Sequence, residues 1–461
     1  MSWVNNLLAF FPEVKKPEQK VGFKEKLKWT LIILVAFYIL SVIPLFGLGH
    51  NELARFEQLS IILGASFGSI LSLGIGPIVT ASIVLQLLTG SKILNIDLTS
   101  HDGRAYFQSL QKLASVFFIL FEAAVYVFLG GLTPDPALRG SSAYFSMQLI
   151  LVIQLIIGGL LIMFMDEVVS KWGFGSGLSL FIAAGVASEI VIRAFSPLNS
   201  VGEWAFGSGQ QPVGAFLVFI ISLVGGAPKD AFLALFSILA TLVVFVMSVY
   251  AQAIKVEIPL SFGRVSGFGI RWPLNFLYTS NIPVILIAAL LANVQLGSGL
   301  LQSWGTISAA TANEIALWTS GPQIVTNLLT GSFVFFDIVR ALGYALLLSL
   351  GSVIFSIFWV ETAGMGASSQ AKQIKASGLH IAGFRSDERI LEKVLQRYIF
   401  PLTVMGGLAI GLLAAAADLL GALSRGTGIL LAVMIIYRLY EDIAKQHMMD
   451  MHPMLRKVMG G

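Results

Sequence analysis

The chain contains no cysteine and few charged residues. Because none of its 461 residues is cysteine, disulfides, thiolate nucleophiles and cysteine-ligated metals are excluded. Asp, Glu, Lys and Arg make up only 12% of the chain, whereas 56% is hydrophobic and the mean hydropathy is +0.85. These values lie well outside the range of soluble domains. The composition therefore indicates an integral membrane protein.

Motifs for enzyme chemistry are also absent from the sequence. There is no GxxxxGK[ST] phosphate loop and no HExxH zinc motif. Intramembrane proteolysis would need a paired acid, or a serine and a histidine, within the predicted spans. All five histidines fall outside those spans: His50, His101, His380, His447 and His452. The sequence therefore predicts no enzymatic activity and no cofactor.

Long apolar runs flanked by charge predict ten transmembrane helices. The runs are around twenty residues long, which is the length that a helix needs to cross a hydrocarbon core about 30 Å thick. The predicted spans are 29–46, 75–89, 110–131, 144–165, 176–195, 231–251, 281–296, 337–360, 398–417 and 427–440. The fold class is therefore predicted as an all-α integral membrane protein.

The basic residues predict the orientation. With a cytosolic N-terminus, all but six of the 29 lysine and arginine residues lie on the cytosolic side, as the positive-inside rule requires. Both termini are then cytosolic. The first residues lack early basic residues and a cleavage site, so segment 1–28 is predicted as a cytosolic amphipathic segment rather than a signal peptide.

Ten spans divide into two sets of five, and an odd number makes the second set enter the membrane in the opposite sense. Such inverted halves usually enclose a central pathway. The predicted halves are 29–195 and 231–440, joined by an external hinge loop at 196–230, and a cytosolic tail follows at 441–461. A plain surface loop at 196–230 is about equally compatible with the sequence.

Two cytosolic loops have internal structure. Loop 252–275 alternates charged and apolar residues around three glycines, which favours a β-hairpin. Loop 361–397 has two short helical stretches and six basic residues. Their length favours docking surfaces over ordinary positive-inside loops.

The stretch 58–79, QLSIILGASFGSILSLGIGPIV, is an apolar helix that is repeatedly interrupted. Gly64, Gly68, Gly74, Gly76 and Pro77 all disfavour a continuous helix. Interruption indicates either a re-entrant or kinked helix held by its neighbours, or a short movable element.

Several strings resemble the SecY family of Sec protein-conducting channels, in its archaeal and eukaryotic-like form. They include LGIGPIVTASIVLQLL, DEVVSKWGFGSGLSLFIAAGV, SNIPVILIAALLANVQL, GFRSDERILEKVLQRYIFPLTVMGG and GALSRGTGILLAVMIIYRLYE. The resemblance extends from about residue 5 to residue 455. It implies a multi-pass subunit of the plasma membrane that translocates secretory polypeptides across the membrane and releases membrane segments sideways into lipid.

The resemblance also assigns roles to the interrupted helix and to the wall of the pathway. Residues 58–67 would form a plug, comprising Gln58, Leu59, Ser60, Ile61, Ile62, Leu63, Gly64, Ala65, Ser66 and Phe67. Six apolar residues would form a pore ring: Ile75, Val79, Leu178, Ile182, Ile285 and Leu431. Ile75 and Val79 are four residues apart, as are Leu178 and Ile182, so each pair shares a helix face. Apolar side chains cannot replace the hydration shell of an ion.

Glu122 lies within the third predicted span, where a carboxylate is costly unless it is paired, protonated or facing water. The resemblance groups Glu122 with Thr80 and Asn293 in a polar cluster at a lateral gate between the halves. Signal sequences and nascent polypeptides would open this gate. The alternative for Glu122 is a carboxylate that merely satisfies a buried neighbour.

The resemblance implies partners as well. Arg264 and Arg385 would dock the ribosome, whose rRNA presents a dense phosphate surface. A SecE or gamma subunit and a beta subunit would complete a heterotrimer in contact with membrane lipid. The competing function is a secondary transporter with inverted repeats, for which a broken second helix and a midplane acid are also typical. A transporter would need convergent polar groups, whereas the inferred lining is apolar.

Overall fold

The structure is a computed structural model of the chain. It describes residues 13–19, 21–49, 68–90, 93–94, 96, 101–128, 132–138, 140–199, 203–206, 210–262, 269–279, 282–303, 305–376, 379–380, 387–424 and 426–451. These residues form fourteen α-helices and three short strands. The first twelve residues of the predicted amphipathic segment 1–28 lie outside the described residues.

Ten of the helices correspond to the ten predicted spans. They are α1 (Phe23–Val42), α2 (Gly76–Gly90), α3 (His101–Phe128), α4 (Ser142–Trp172), α5 (Gly177–Phe195), α7 (Pro228–Ala253), α8 (Ile282–Ser303), α11 (Phe335–Thr362), α13 (Glu388–Leu419) and α14 (Gly426–Met451). The prediction of a predominantly helical membrane protein is confirmed.

Length and apolar character together separate these helices into two groups. In the described part of the chain, six helices are long and apolar enough to cross a membrane: α3, α4, α5, α7, α11 and α13. Helix α2 has 15 residues, which at 1.5 Å per residue is about 22 Å and falls short of the roughly 30 Å hydrocarbon core. The turns that precede α2 therefore belong to the same broken second span.

Four helices lie outside the predicted spans. Helix α6 (Ala215–Val224) occupies the predicted hinge loop 196–230, and α9 (Ala309–Thr319) and α10 (Ile324–Thr330) follow the seventh span. Helix α12 (Ala367–Ala376) provides one of the short helices predicted in loop 361–397. At 10, 11 and 7 residues, the first three are shorter than the window needed to recognise a span, so the sequence analysis missed them.

The predicted hairpin is present and acquires a third strand. Strands β1 (Lys255–Phe262) and β2 (Gly269–Asn275) pair antiparallel from Lys255 opposite Asn275 to Ser261 opposite Gly269. Strand β3 (Leu379–His380) pairs with the end of β1, which makes a sheet of order β2-β1-β3. The sheet ties loop 252–275 to loop 361–397.

The described residues group into two compact units. One is drawn from residues 1–85, 95–234 and 435–461, and the other from residues 86–94 and 235–434. The core of the first unit contains Leu71, Ile162 and Phe181, and the Phe181 ring stacks on Phe37 with centroids 4.6 Å apart. Aromatic stacking and aliphatic burial thus join α1, α4 and α5.

The core of the second unit lies between α8, α11 and α13. Val284, Leu348 and Ile410 are essentially inaccessible. Helices α11 and α13 approach closely because α13 presents a glycine to α11. A Cβ on Gly411 would lie 2.6 Å from the Cα of Ser349. Small residues at such contacts allow backbones to approach in helix pairs within membranes.

Candidate functional site

The connection between the predicted plug and α2 is a tightly hydrogen-bonded turn at 68–75. The Ile70 amide donates to the carbonyl of Ile43 at 3.0 Å. Gly68 and Gly74 have φ values of +81° and +56°, a backbone region that side chains other than glycine rarely adopt. Two of the five helix interruptions in this stretch are therefore explained by turn geometry.

Helix α4 packs directly against this turn. A Cβ built on Gly158 would lie 1.9 Å from the carbonyl oxygen of Ile70. Only glycine permits so close an approach, because a backbone carbonyl cannot rotate out of the way as a side chain can. Gly158 therefore holds the segment that follows the predicted plug.

Four of the six predicted ring residues lie in the first unit. The Val79 amide donates to the carbonyl of Ile75 at 3.0 Å, so these two side chains are one helical turn apart and share a face. Leu178 and Ile182 lie in the first two turns of α5. Ile75 and Leu178 pack against the edge of the unit's core, and all four side chains are half-buried.

The remaining two ring residues lie in the second unit. Ile285 is half-buried in the first turn of α8, beside the fully buried Val284. Leu431 lies in the second turn of α14 and is 8% exposed. All six residues are thus in or next to helices of the predicted spans, and the ring itself stays a prediction.

Two members of the predicted lateral gate meet in the structure. The Thr80 side chain on α2 forms a hydrogen bond with the carboxylate of Glu122 on α3. Glu122 also lies against the start of α2, since a Cβ on Gly76 would be 3.5 Å from its Oε2. The third member, Asn293, belongs to α8, but its side chain lies outside the described residues.

The predicted plug, residues 58–67, lies outside the described residues, as do Arg264 and Arg385. The structure does describe the strands beside the two arginines. Arg264 follows β1 and Arg385 follows β3, and these two strands pair with each other. The two predicted docking loops therefore share one sheet.

The N-terminal segment is attached to the end of α4. The Lys171 ammonium forms an ion pair with Glu13 at 2.9 Å and with Glu167 at 2.8 Å, and the Trp172 indole donates to the carbonyl of Lys15 at 2.9 Å. The hydrogen bond from Lys171 lowers the pKa of Glu13 below its ordinary value. The ion pair between Lys171 and Glu13 is therefore fully formed at pH values above the ordinary pKa of glutamate, and it weakens as the pH falls through the lowered pKa of Glu13.

Sequence reasoning missed two acidic residues next to ring-bearing helices. Asp166, near the end of α4, accepts hydrogen bonds from the first residues of α5. Asp418, at the end of α13, accepts one from the first amide of α14. The sequence shows only that each aspartate lies about seven or eight residues before a glycine-rich stretch, GFGSG in one case and GTG in the other, and it does not specify that the chain folds back to bring them together.

Comparison with known proteins gives a consistent result over nearly the whole chain. The profile of the SecY family matches residues 69–440. The chain is 45% identical to the protein translocase subunit SecY of Methanothermobacter thermautotrophicus, with 98% of each chain covered. It is 41% identical to that of Pyrococcus furiosus, again with 98% of each covered.

Solved structures with the same fold include one that describes how the plug domain of SecY stabilizes the closed state of its channel, with TM-score 0.79 and 38% identity over 97% of this chain and 98% of that one. Sec61 in a canine ribosome-channel complex gives TM-score 0.75 at 38% identity, with the same coverage. These relatives lend no support to the transporter alternative.

Proposed function

Because the chain belongs to the SecY family, we propose that this protein-conducting channel subunit passes polypeptides through an apolar constriction and opens sideways at a polar gate. The observation that carries the proposal is 45% identity over 98% of the chain to a translocase subunit. It is not an enzyme. As a multi-pass membrane protein it resides in the plasma membrane, with both termini in the cytosol.

The constriction is formed by Ile75, Val79, Leu178, Ile182, Ile285 and Leu431. All six are aliphatic and offer an ion no hydrogen-bonding substitute for its water shell. Aliphatic side chains can also separate around a passing chain without selecting its sequence. The glycines of the turn 68–75 support a plug at 58–67 that leaves the constriction when a polypeptide enters.

The first experiment uses the absence of cysteine. A single cysteine at Ile285 is expected to form a disulfide with a cysteine in a secretory chain stalled during translocation. The matched control is a cysteine at Leu290, which is 47% exposed on the same helix and lies roughly 140° around its axis. A crosslink at Ile285 but not at Leu290 supports the constriction. No crosslink from an engaged chain at Ile285, or equal crosslinking at both positions, contradicts it.

The lateral gate uses the hydrogen bond between Thr80 and Glu122, with Asn293 as its third member. A buried hydrogen bond between membrane helices contributes about 1 kcal/mol, so its loss should favour opening about fivefold. We expect Thr80→Val to raise translocation of a precursor whose signal sequence has a shortened apolar core. Thr80→Ser keeps a hydroxyl and is the control. Equal translocation by the two variants would argue against the gate.

The partners follow from the same family. A solved relative is Sec61 in a ribosome-channel complex, and we propose that this chain docks the ribosome through Arg264 and Arg385. Guanidinium groups suit rRNA because they donate two parallel hydrogen bonds to phosphate. A SecE or gamma subunit and a beta subunit complete the channel. Signal sequences, nascent chains and membrane lipid meet at the gate.

A further inference from the structure

Helix α5, which carries Leu178 and Ile182, begins without a cap of its own. Ser176 precedes it in an extended conformation, and its side chain makes no capping hydrogen bond to the helix. The first amides of any α-helix lack partners within the helix and need an acceptor from elsewhere. In α5 that acceptor belongs to another helix.

Asp166 of α4 provides this acceptor. Its Oδ1 accepts the Leu178 amide at 2.8 Å and the Ser176 hydroxyl at 3.4 Å, and the carboxylate also accepts the amide of Gly177. A Cβ on Gly177 would lie 2.6 Å from the Cα of Asp166, so the link between the helices must be glycine at this point. The carboxylate thus holds the backbone of a ring residue directly.

The second unit contains a corresponding cap, in which an aspartate of one helix accepts a hydrogen bond from the first amide of the next. Oδ1 of Asp418, at the end of α13, accepts the Gly426 amide at 2.6 Å, and its Oδ2 accepts the Tyr344 hydroxyl at 2.7 Å. Gly426 begins α14, which carries Leu431. A Cβ on Gly426 would lie 2.2 Å from the carbonyl oxygen of Ala414, so glycine is again required.

The two carboxylates occupy corresponding places in the order of spans. Helices α4 and α5 are the fourth and fifth spans, and α13 and α14 are the ninth and tenth. In two halves of five spans these pairs are equivalent. In each pair an aspartate near the end of one helix caps the start of the next, where the helix dipole also favours a negative charge.

We propose that Asp166 and Asp418 are positioning residues for the pore ring, each setting where a ring-bearing helix begins and how it is rotated. This inference rests on the proposed ring. Leu178 is held by its own amide, whereas Leu431 lies five residues beyond the capped Gly426. Loss of the cap should therefore displace the ring more in the first half than in the second.

The test measures the water accessibility of the ring in vesicles. A single cysteine at Ile182 reports on α5 through its reactivity with a water-soluble maleimide. Asp166→Ala should raise this reactivity about fivefold, which is the equilibrium change expected from losing one typical helix cap. Asp166→Asn retains an acceptor oxygen and should restore near-native reactivity. Glu167→Gln changes the adjacent acid, whose ion pairs are with Lys112 and Lys171, and is the matched control.

A second reporter separates positioning from general loosening. Ile153 is 55% exposed near the middle of α4, where we expect it to face lipid. A cysteine placed there should stay unreactive in every background, because the water-soluble maleimide does not enter the lipid. Unchanged reactivity at Ile182 in Asp166→Ala, equal reactivity in the Ala and Asn variants, or a parallel rise at Ile153 would overturn the proposal.

In the second half, a Leu431 cysteine should respond to Asp418→Ala by a smaller factor. Tyr344→Phe keeps the cap and removes only the second hydrogen bond to the carboxylate, so it should have little effect. An equal or larger response than in the first half would overturn the predicted difference.

The crosslinking experiment at Ile285 tests the ring independently. A positive crosslink with no response to Asp166→Ala refutes only the positioning role. A response without a crosslink refutes the ring assignment.

Discussion

Replacing Gly158 by alanine should displace the turn that follows the predicted plug. The new Cβ would lie 1.9 Å from the carbonyl oxygen of Ile70, whereas ordinary contact begins near 3.4 Å. Either α4 or the turn must therefore move by about 1.5 Å. Overpacking of this kind costs about 1–3 kcal/mol, and the upper half of that range is expected because the obstructing atom belongs to the backbone. Alanine recovers about 1 kcal/mol of helix propensity, so the net loss should be about 1–2 kcal/mol.

Two other glycines of the first unit provide a graded comparison. A Cβ on Gly159 would meet only the Ile119 side chain, at 2.7 Å, and a Cβ on Gly185 would meet nothing within 4 Å. Gly159→Ala should destabilise less than Gly158→Ala, because a side chain yields more readily than a backbone carbonyl. Some loss remains, because Ile119 is fully buried and β-branched. Gly185→Ala should stabilise α5 by up to about 1 kcal/mol.

Thermal unfolding in detergent and ion conductance in planar bilayers measure the two consequences. We expect the Tm to fall in the order Gly185→Ala, Gly159→Ala, Gly158→Ala. Only Gly158→Ala should increase ion leak, because only this change moves the turn that leads to residues 58–67. A Tm for Gly158→Ala equal to that of Gly185→Ala would refute the packing argument. Equal leak in Gly158→Ala and Gly159→Ala would refute the link to the plug.

Three further predictions concern the plug, the cytosolic loops and the N-terminal segment. Deletion of residues 58–67 should leave a channel that leaks ions yet still translocates; unchanged conductance would contradict the plug assignment. Charge reversal at Arg264 and Arg385 should weaken ribosome co-sedimentation and make it less dependent on salt. Reversal at Arg271, an exposed hairpin residue already paired with Glu257, should weaken it less, and equal effects would count against specific docking. Lys171→Met should increase hydrogen exchange in the attached N-terminal segment, whereas native-like protection would show that this ammonium does not hold it.

Much of the fold could be predicted from local sequence. Each of the ten spans corresponds to a helix because an apolar run in lipid must satisfy its own backbone hydrogen bonds, and a helix does so within the run. The hairpin in loop 252–275 was predictable for a similar reason, since alternating residues and glycines specify strands and turns over a short distance. Helices α6, α9 and α10 escaped prediction because they are too short for their apolar character to indicate a span.

Site residues could be predicted from the sequence only where they lie in a recognisable motif. Ile75, Val79, Leu178 and Ile182 could be assigned to shared faces by spacing and to a ring by resemblance. Asp166 and Asp418 could not, since each lies some ten residues before its partner amide and nothing in the intervening sequence specifies that the chain folds back to bring them together.

By itself, the sequence determined the membrane environment, the number of spans, the predicted orientation and the family, because composition and local periodicity carry that information. Only the tertiary structure decided that Thr80 meets Glu122, that β3 joins the hairpin, and that aspartates of two preceding helices cap the helices of the ring. The physical reason is that these are contacts between elements. Their energy depends on distances of a few tenths of an ångström, which are set by how glycines such as Gly158 and Gly177 let backbones approach.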